Sequence, residues 1–447
     1  MTRKDSSHTQ SPAGRDARRA AFELTRAVLR GGQTLEEALA EATILNRLDS
    51  RDRGFARHLA TTVLRRLGQI DAAVAGCLDR PLKGKLSAVQ DLLRLGAAQV
   101  LFMEVSDHAA VGETVEMASG VRVGPHKGLI NAVLRRLTRE RAAILESQDA
   151  ERLNTPAWLW KRWVAHYGEA TARAIAAQHM QEPPLDITVK PGEDLDAWAE
   201  RLGARVLPTG SLRLGAGSGD IRRLPGFQEG AWWIQDAAAA LPAKLLLQAA
   251  GEGIAGDTVL DLCAAPGGKT AQLAAAGAKV VALDRSAERM AQLNENLSRL
   301  SLAAANVVAN ATRWSPPQSP AWILLDAPCT STGTLRRHPD IALLKRPGDI
   351  ESMAVVQRDI LAAAAEMLEP GGTLVYATCS LEPEEGPDQV AALLRARGDF
   401  ARVPVQAGEA GGLAEAITPE GDLRTLPCHL AELGGMDGFY AARLRKT

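Results

Sequence analysis

The stretch DTVLDLCAAPGGKTAQLAAAGAKVVALD, residues 257–284, decides the fold of this chain. It reads as an apolar strand, a glycine-containing turn, a short helix and a second apolar strand. The pattern continues outward. AAANVVA (303–309), AWILLDA (321–327) and GGTLVYAT (371–378) are strand candidates, and SAERMAQLNENLSRL (286–300) and DIESMAVVQRDILAAAAEML (349–368) fit helices between them. Apolar strands alternating with amphipathic helices predict a parallel, doubly wound α/β (Rossmann-like) domain over 236–447, whose ligands lie at the carboxyl ends of the strands.

The turn after the first strand, Cys263-Ala264-Ala265-Pro266-Gly267-Gly268-Lys269, opens a helix, so backbone N–H groups can approach a ligand closely. The second strand ends at Asp284, 17 residues after Gly267, and a carboxylate there can take both hydroxyls of a ribose. The combination predicts a nucleoside cofactor. Because the turn is not GxGxxG, a nicotinamide or flavin is disfavoured. Two further strands lead into cysteines: Asp326-Ala327-Pro328-Cys329 and Thr378-Cys379-Ser380. A thiolate is the soft nucleophile that adds to carbon 6 of a pyrimidine and activates carbon 5 toward methylation. A carboxyl group, here Asp326, can hold or protonate N3 as charge develops. A single strand-end cysteine is most often a small buried residue; two at adjacent tips are a stronger signal. Cys263 reads as cofactor-lining, and Cys77 and Cys428 as structural.

Upstream, 13–145 is helical: AFELTRAVLRGGQTLEEALAEA (21–42) and SAVQDLLRLGAAQVLF (87–102) repeat apolar residues every three or four positions. Between 150 and 235 a helix signalled by Thr155-Pro156 precedes β-like pieces, LDITVK (185–190), ARVLP (204–208) and SLRLG (211–215), which make a small α+β unit. Residues 1–12 are polar and read as a disordered tail without the apolar segment of a secretory signal.

The whole chain has 447 residues, 46% hydrophobic, enough for more than one core. No apolar run could span a bilayer, and five cysteines without a CxxC pair suggest neither a zinc site nor a disulfide framework. A cytoplasmic protein without a metal is expected. The near-neutral total hides an asymmetry: residues 1–145 carry 23 Lys+Arg against 16 Asp+Glu. A basic third on an acidic body suits a nucleic-acid partner, although a solvated, arginine-rich helical surface accounts for the charge equally well.

With these residues assembled, the chain resembles the RsmB (Sun, or Fmu) family of 16S rRNA cytosine-C5 methyltransferases, within the Nop2-type group. The resemblance is carried by DLCAAPGGKT (261–270), DAPCTSTGTLRRHPD (326–340), GGTLVYATCSLEPEE (371–385) and DGFYAARLRK (437–446). DHAAVGETVEMA (107–118) and KGLINAVLRRL (127–137) resemble the NusB-type RNA-binding domain, and 150–235 resembles an RRM-like subdomain. The resemblance implies a class I methyltransferase domain with S-adenosylmethionine held by 263–269 and by Asp284 at the ribose. Asp326 would lie near the methionine moiety and the base, Cys379 would be the nucleophile, and Cys329 would assist product release. The partner would be 16S ribosomal RNA, not DNA or a membrane, and the chain a monomer. One departure stands out: Asn310 replaces the usual aspartate near the adenine, keeping an acceptor oxygen but losing the charge. Two rival readings remain, a DNA cytosine methyltransferase with Cys329 as nucleophile and a non-enzymatic RNA-binding factor.

Overall fold

The computed structural model describes residues 12–82, 84–215 and 219–447. The tail expected over 1–12 falls outside the described residues up to position 11; Pro12 opens the first helix. The chain divides into two compact units. One runs to Lys161 and includes His338–Leu344; the other comprises Arg162–Arg337 and Lys345–Thr447.

The first unit is helical, with its main helices at Pro12–Leu29, Leu35–Glu41, Ser50–Arg65, Leu67–Gly76, Ser87–Phe102, Asp107–Gly120 and Lys127–Glu146. Ser87–Phe102 lies at its centre: Val89, Leu92, Leu93, Leu95 and Val100 are all fully buried. Gly96 permits the close approach of helix Lys127–Glu146, since a Cβ there would come within 2.6 Å of Leu134. The helix Leu35–Glu41 starts in a capping box between Thr34 and Glu37, which satisfies two otherwise orphaned N–H donors. Its first N–H, on Leu35, donates to the Asp340 carboxylate at 3.1 Å. Leu343 and Leu344 pack on the same core. The end of the RRHPD stretch is thus part of the helical unit.

The second unit holds two sheets. The smaller contains β1 (Asp186–Val189), β2 (Arg205–Val206), β3 (Leu212–Arg213) and β4 (Trp232–Ile234), all antiparallel in the order β2-β3-β1-β4. The first three match the β-like pieces of the sequence; β4 was not anticipated. The helix expected from Thr155-Pro156 begins at Ala157 and runs to His179, broken at Gly168, whose φ is +78°.

The larger sheet contains β5 (Thr258–Leu262), β6 (Lys279–Asp284), β7 (Ala305–Val308), β8 (Trp322–Asp326), β9 (Thr373–Thr378), β10 (Phe400–Arg402), β11 (Leu423–Thr425) and β12 (Phe439–Lys446). The order is β10-β12-β9-β8-β5-β6-β7, with β11 on β12. Strands β5 to β9 are parallel, as expected. The sheet is completed by β10, β11 and β12, joined antiparallel, so it is mixed rather than wholly parallel. Alternate strand residues feed two cores. Val259, Leu324 and Val375 face one, while Leu260, Leu262, Ile323, Leu325 and Leu374 face the other. Burial on both faces explains why these strands are continuously apolar in sequence. Helices Gly268–Ala275, Ala287–Arg299 and Pro347–Met367 connect them. Among the described residues no helix is long and apolar enough to cross a membrane.

Candidate active site

The strand order reverses between β5 and β8, both of which pair with each other and lead in opposite directions across the sheet. A crevice at the carboxyl ends of such strands is the usual ligand position, and every site residue expected from the sequence lies at the carboxyl ends of β5 to β9 or on the turns just beyond them. After β5 the backbone turns sharply. Cys263 has φ +61° and Gly267 φ +101°. At Gly267 a side chain would be doubly penalised, because a Cβ would also come within 2.9 Å of Leu293. Helix Gly268–Ala275 follows directly.

Asp284 ends β6. One of its oxygens accepts the Ser286 N–H at 2.9 Å and the other the Ala265 N–H at 3.3 Å. Each carboxylate oxygen has two lone pairs, so the pair retains capacity for a ribose diol. The Arg289 guanidinium lies 3.7 Å away. Asn310, two residues past β7, is exposed, and its Oδ1 accepts the Thr312 N–H at 3.0 Å and the Thr312 hydroxyl at 2.9 Å. The glycine turn and the strand-tip carboxylate fit the nucleoside part of S-adenosylmethionine.

The thiols belong to the other half of the same edge. Asp326 ends β8 opposite Ala377 of β9, and the ladder continues past the strand ends: Ala327 N–H donates to the Ala377 carbonyl at 2.8 Å and Gly333 N–H to the Cys379 carbonyl at 2.9 Å. This register brings Cys329 Sγ to 3.4 Å from Cys379 Sγ. Ser331, in the left-handed region at φ +59°, places its hydroxyl 3.5 Å from Cys379 Sγ and 3.8 Å from Cys329 Sγ. The hydrogen bond with Cys379, burial and the nearby Cys379 and Glu385 together hold the Cys329 thiol well above its ordinary pKa. Asp326 Oδ2 takes a 2.7 Å ion pair from Lys269 Nζ, so the lysine of the cofactor turn reaches across to β8.

The remaining cysteines separate from this pair. Burial, with help from Asp284, Asp326 and Asp261, pushes the Cys263 thiol up to about 12, which keeps it neutral and unreactive beside the turn. Burial also raises Cys428 and Cys77, the latter against the helical core.

Several residues went unassigned in the sequence. Asp261, within β5, is fully buried, receives the Thr270 hydroxyl at 2.6 Å, and is raised by burial to about 7. Arg336 and Arg337, which the sequence offers only as part of the DAPCTSTGTLRRHPD stretch, join a buried ionic cluster in which Arg337 meets Asp236 at 2.5 Å and Asp437 at 3.2 Å. Trp163 Nε1 donates to Glu382 at 3.2 Å, Arg162 pairs with the same carboxylate, and the Tyr167 hydroxyl donates to the Leu381 carbonyl. Those three side chains fasten the loop after Cys379. A buried acid inside an apolar strand was the one available signal for Asp261; the loop contacts span more than 200 positions and had none.

A doubly wound sheet with this order, a glycine turn after its first strand and a carboxylate on its second fit an S-adenosylmethionine-dependent methyltransferase, and comparison with known proteins places the chain in that class. Residues 252–445 match the family model described as 16S rRNA methyltransferase RsmB/F, and residues 15–139 match the NusB family. The chain is 39% identical over 446 residues to ribosomal RNA small subunit methyltransferase B of Pseudomonas syringae pv. tomato, covering 96% of each. It is 38% identical to the protein of that name from Pseudomonas putida, covering 96% of this chain and 98% of the relative. The chain belongs to the ribosomal RNA small subunit methyltransferase B family. Among solved structures, PH0851 superposes with a TM-score of 0.73 over 98% of this chain and 100% of its own, at 23% identity, which shows a common fold. A methyltransferase homologue from Pyrococcus horikoshii superposes at 0.53 with 26% identity, over 66% of this chain and 97% of its own.

Proposed function

We propose that this protein methylates carbon 5 of a cytosine in 16S ribosomal RNA through a covalent adduct between Cys379 and carbon 6. The observation that carries the reading is the pair of sulfurs 3.4 Å apart beyond adjacent strand tips, on the same sheet edge as the cofactor turn; the names of the relatives supply the RNA. The Cys379 thiolate forms a bond to carbon 6 and pushes the electron pair of the 5,6 double bond toward carbon 5. Charge that reaches N3 is met by a proton from solvent that Asp326 holds against the ring, with Lys269 balancing the carboxylate before and after. S-adenosylmethionine, when bound, supplies the methyl group to carbon 5. Cys329 then takes the proton from carbon 5, the double bond re-forms, and Cys379 leaves. To accept that proton Cys329 must first give up its own to solvent, and a thiol held above its ordinary pKa is a strong base once it has done so.

Residues 263–269 hold the cofactor in this reading, with Asp284 on the ribose, Asn310 near the adenine and Asp326 near the methionine end. Residues 13–145 grip RNA, 150–235 form the RRM-like subdomain and 236–447 carry the chemistry. The protein works as a monomer in the cytoplasm.

The deciding experiment incubates Cys329→Ala with RNA and S-adenosylmethionine and runs a denaturing gel. Attack and methylation survive without Cys329 but release does not, so a slow band should accumulate that nuclease collapses. The DNA-enzyme reading, with Cys329 as nucleophile, requires trapping to vanish here and to appear in Cys379→Ala; that result would overturn the assignment.

A further inference from the structure

Of the three glutamates that follow Cys379, Glu382 and Glu385 are fully buried, and Glu385 is the one that faces the thiol loops. Its Oε1 accepts the backbone N–H of Thr330 at 2.9 Å and the Gln357 amide at 3.1 Å. Its Oε2 accepts the hydroxyls of Thr330 and Ser380. Thr330 is the residue after Cys329, and Ser380 is the residue after Cys379. One carboxylate therefore grips the chain immediately beyond each thiol. Every partner donates, the pattern suited to an acceptor-only, ionised carboxylate, and removal of such a charge from water is tolerable only with partners of this kind. Gln357 extends the tie, because its amide also donates to the Pro328 carbonyl at 2.8 Å, one residue before Cys329. Glu385 is itself anchored to β9, where the Tyr376 hydroxyl donates to its carbonyl at 2.7 Å.

We propose that Glu385 is a positioning residue for the thiol pair, setting the sulfur-to-sulfur separation by holding the backbone that follows each cysteine, without touching substrate or cofactor. The inference rests on the reading of Cys329 and Cys379 as partners in one reaction. The regular strands end at Thr378 and Asp326, and beyond them only the backbone hydrogen bonds from Ala327 to Ala377 and from Gly333 to Cys379 continue the ladder, so both sulfurs sit on loop backbone. Loop positions are set by side-chain ties, and a shift of an ångström between two reacting groups is enough to cost much of a rate.

Phenylarsine oxide tests the geometry without RNA. It condenses with two thiols to form two As–S bonds and one water, and it holds well only when both sulfurs reach the same arsenic atom. Bridged cysteines resist iodoacetamide, which peptide mass spectrometry reads in the full chain. In the parent, Cys329 and Cys379 should be protected together. Glu385→Ala should weaken bridging by at least about tenfold, as the second bond loses its intramolecular advantage. Glu385→Gln, which keeps an acceptor oxygen, should recover a large part of that loss. The melting temperature of Glu385→Ala should fall, because buried donors lose their acceptor, but in the folded variant S-adenosylmethionine affinity should stay near the parental value while kcat for methyl transfer falls and KM for the cofactor does not. Unchanged bridging in a folded Glu385→Ala would overturn the proposal. If that variant does not fold, the double variant Thr330→Val with Ser380→Ala, which removes both hydroxyl donors and leaves the carboxylate, decides: intact bridging overturns the proposal and weakened bridging supports it. Glu385-dependent bridging in a parent that methylates no cytosine would support the positioning role and sink the functional reading instead.

Discussion

At the tips of β5 and β6 the chain presents mainly backbone: a turn made possible by Gly267, N–H groups of Ala265 and Ser286, and one carboxylate, Asp284, that they orient. At the tips of β8 and β9 it presents side chains. Two sulfurs, the Ser331 hydroxyl and a buried network through Glu385, Thr330, Ser380 and Gln357 define that half. The difference follows from what each half must do. A nucleoside is held by hydrogen bonds that tolerate a few tenths of an ångström, and backbone in a tight turn supplies them at low entropic cost. In the proposed reaction, covalent attack and proton removal on one pyrimidine ring need two sulfurs at a fixed spacing, which a cross-braced loop supplies. Damage should therefore be graded on the cofactor half and near total on the thiol half.

The largest effect is expected from Cys379→Ala. Without attack at carbon 6, carbon 5 is too weak a nucleophile to take a methyl group, so transfer should fall by roughly a thousandfold or more. Transfer of labelled methyl groups to RNA measures it, with S-adenosylmethionine affinity as the control. Retention of a tenth of parental activity would remove Cys379 from the chemistry and erase the contrast between the halves.

Asp284→Ala should come next, and on the other half. In the proposed cofactor pose two charge-assisted hydrogen bonds to a ribose are lost, and the N–H groups of Ser286 and Ala265 lose their acceptor. A cost of about 2–3 kcal/mol, or roughly thirty- to hundredfold in cofactor affinity, is expected. Calorimetric titration reads it directly. The trapped RNA adduct should still form at saturating cofactor in the Asp284→Ala, Cys329→Ala double variant. If it does not, the halves are not separable.

The same contrast governs how much could be read from the sequence. Backbone-built features leave local marks: strand, turn, helix and carboxylate appear within 257–284 in order, and β5 to β9 all coincide with apolar runs found beforehand. Side-chain networks leave none. Glu382, Glu384 and Glu385 look alike in sequence, yet the first and third are fully buried and the side chain of the second is 40% exposed. Nothing local distinguishes them, because their donors come from positions such as Arg162, Thr330 and Gln357. The sheet's antiparallel side was missed for a related reason. β12 runs buried through its first six residues and shows no alternation, while β10 and β11 are three residues each, too short for periodicity to register.

The smallest effect is expected at Asn310, where the resemblance implies an aspartate. Asn310 sits past the third strand tip, exposed, with its oxygen already serving Thr312 through two hydrogen bonds. Asn310→Asp keeps that acceptor and its geometry and adds a charge in a place open to water, where it is screened. If the side chain meets the adenine amino group, the charge strengthens one hydrogen bond; if Thr312 is its main partner, almost nothing changes. Either way cofactor affinity should move by less than about tenfold, the scale of one modest hydrogen bond. Titrations at low and high salt separate the two cases, since only a gain that fades with salt reports a charge acting on the ligand. A loss larger than that of Asp284→Ala would make the third strand, rather than the second, the anchor of the cofactor half.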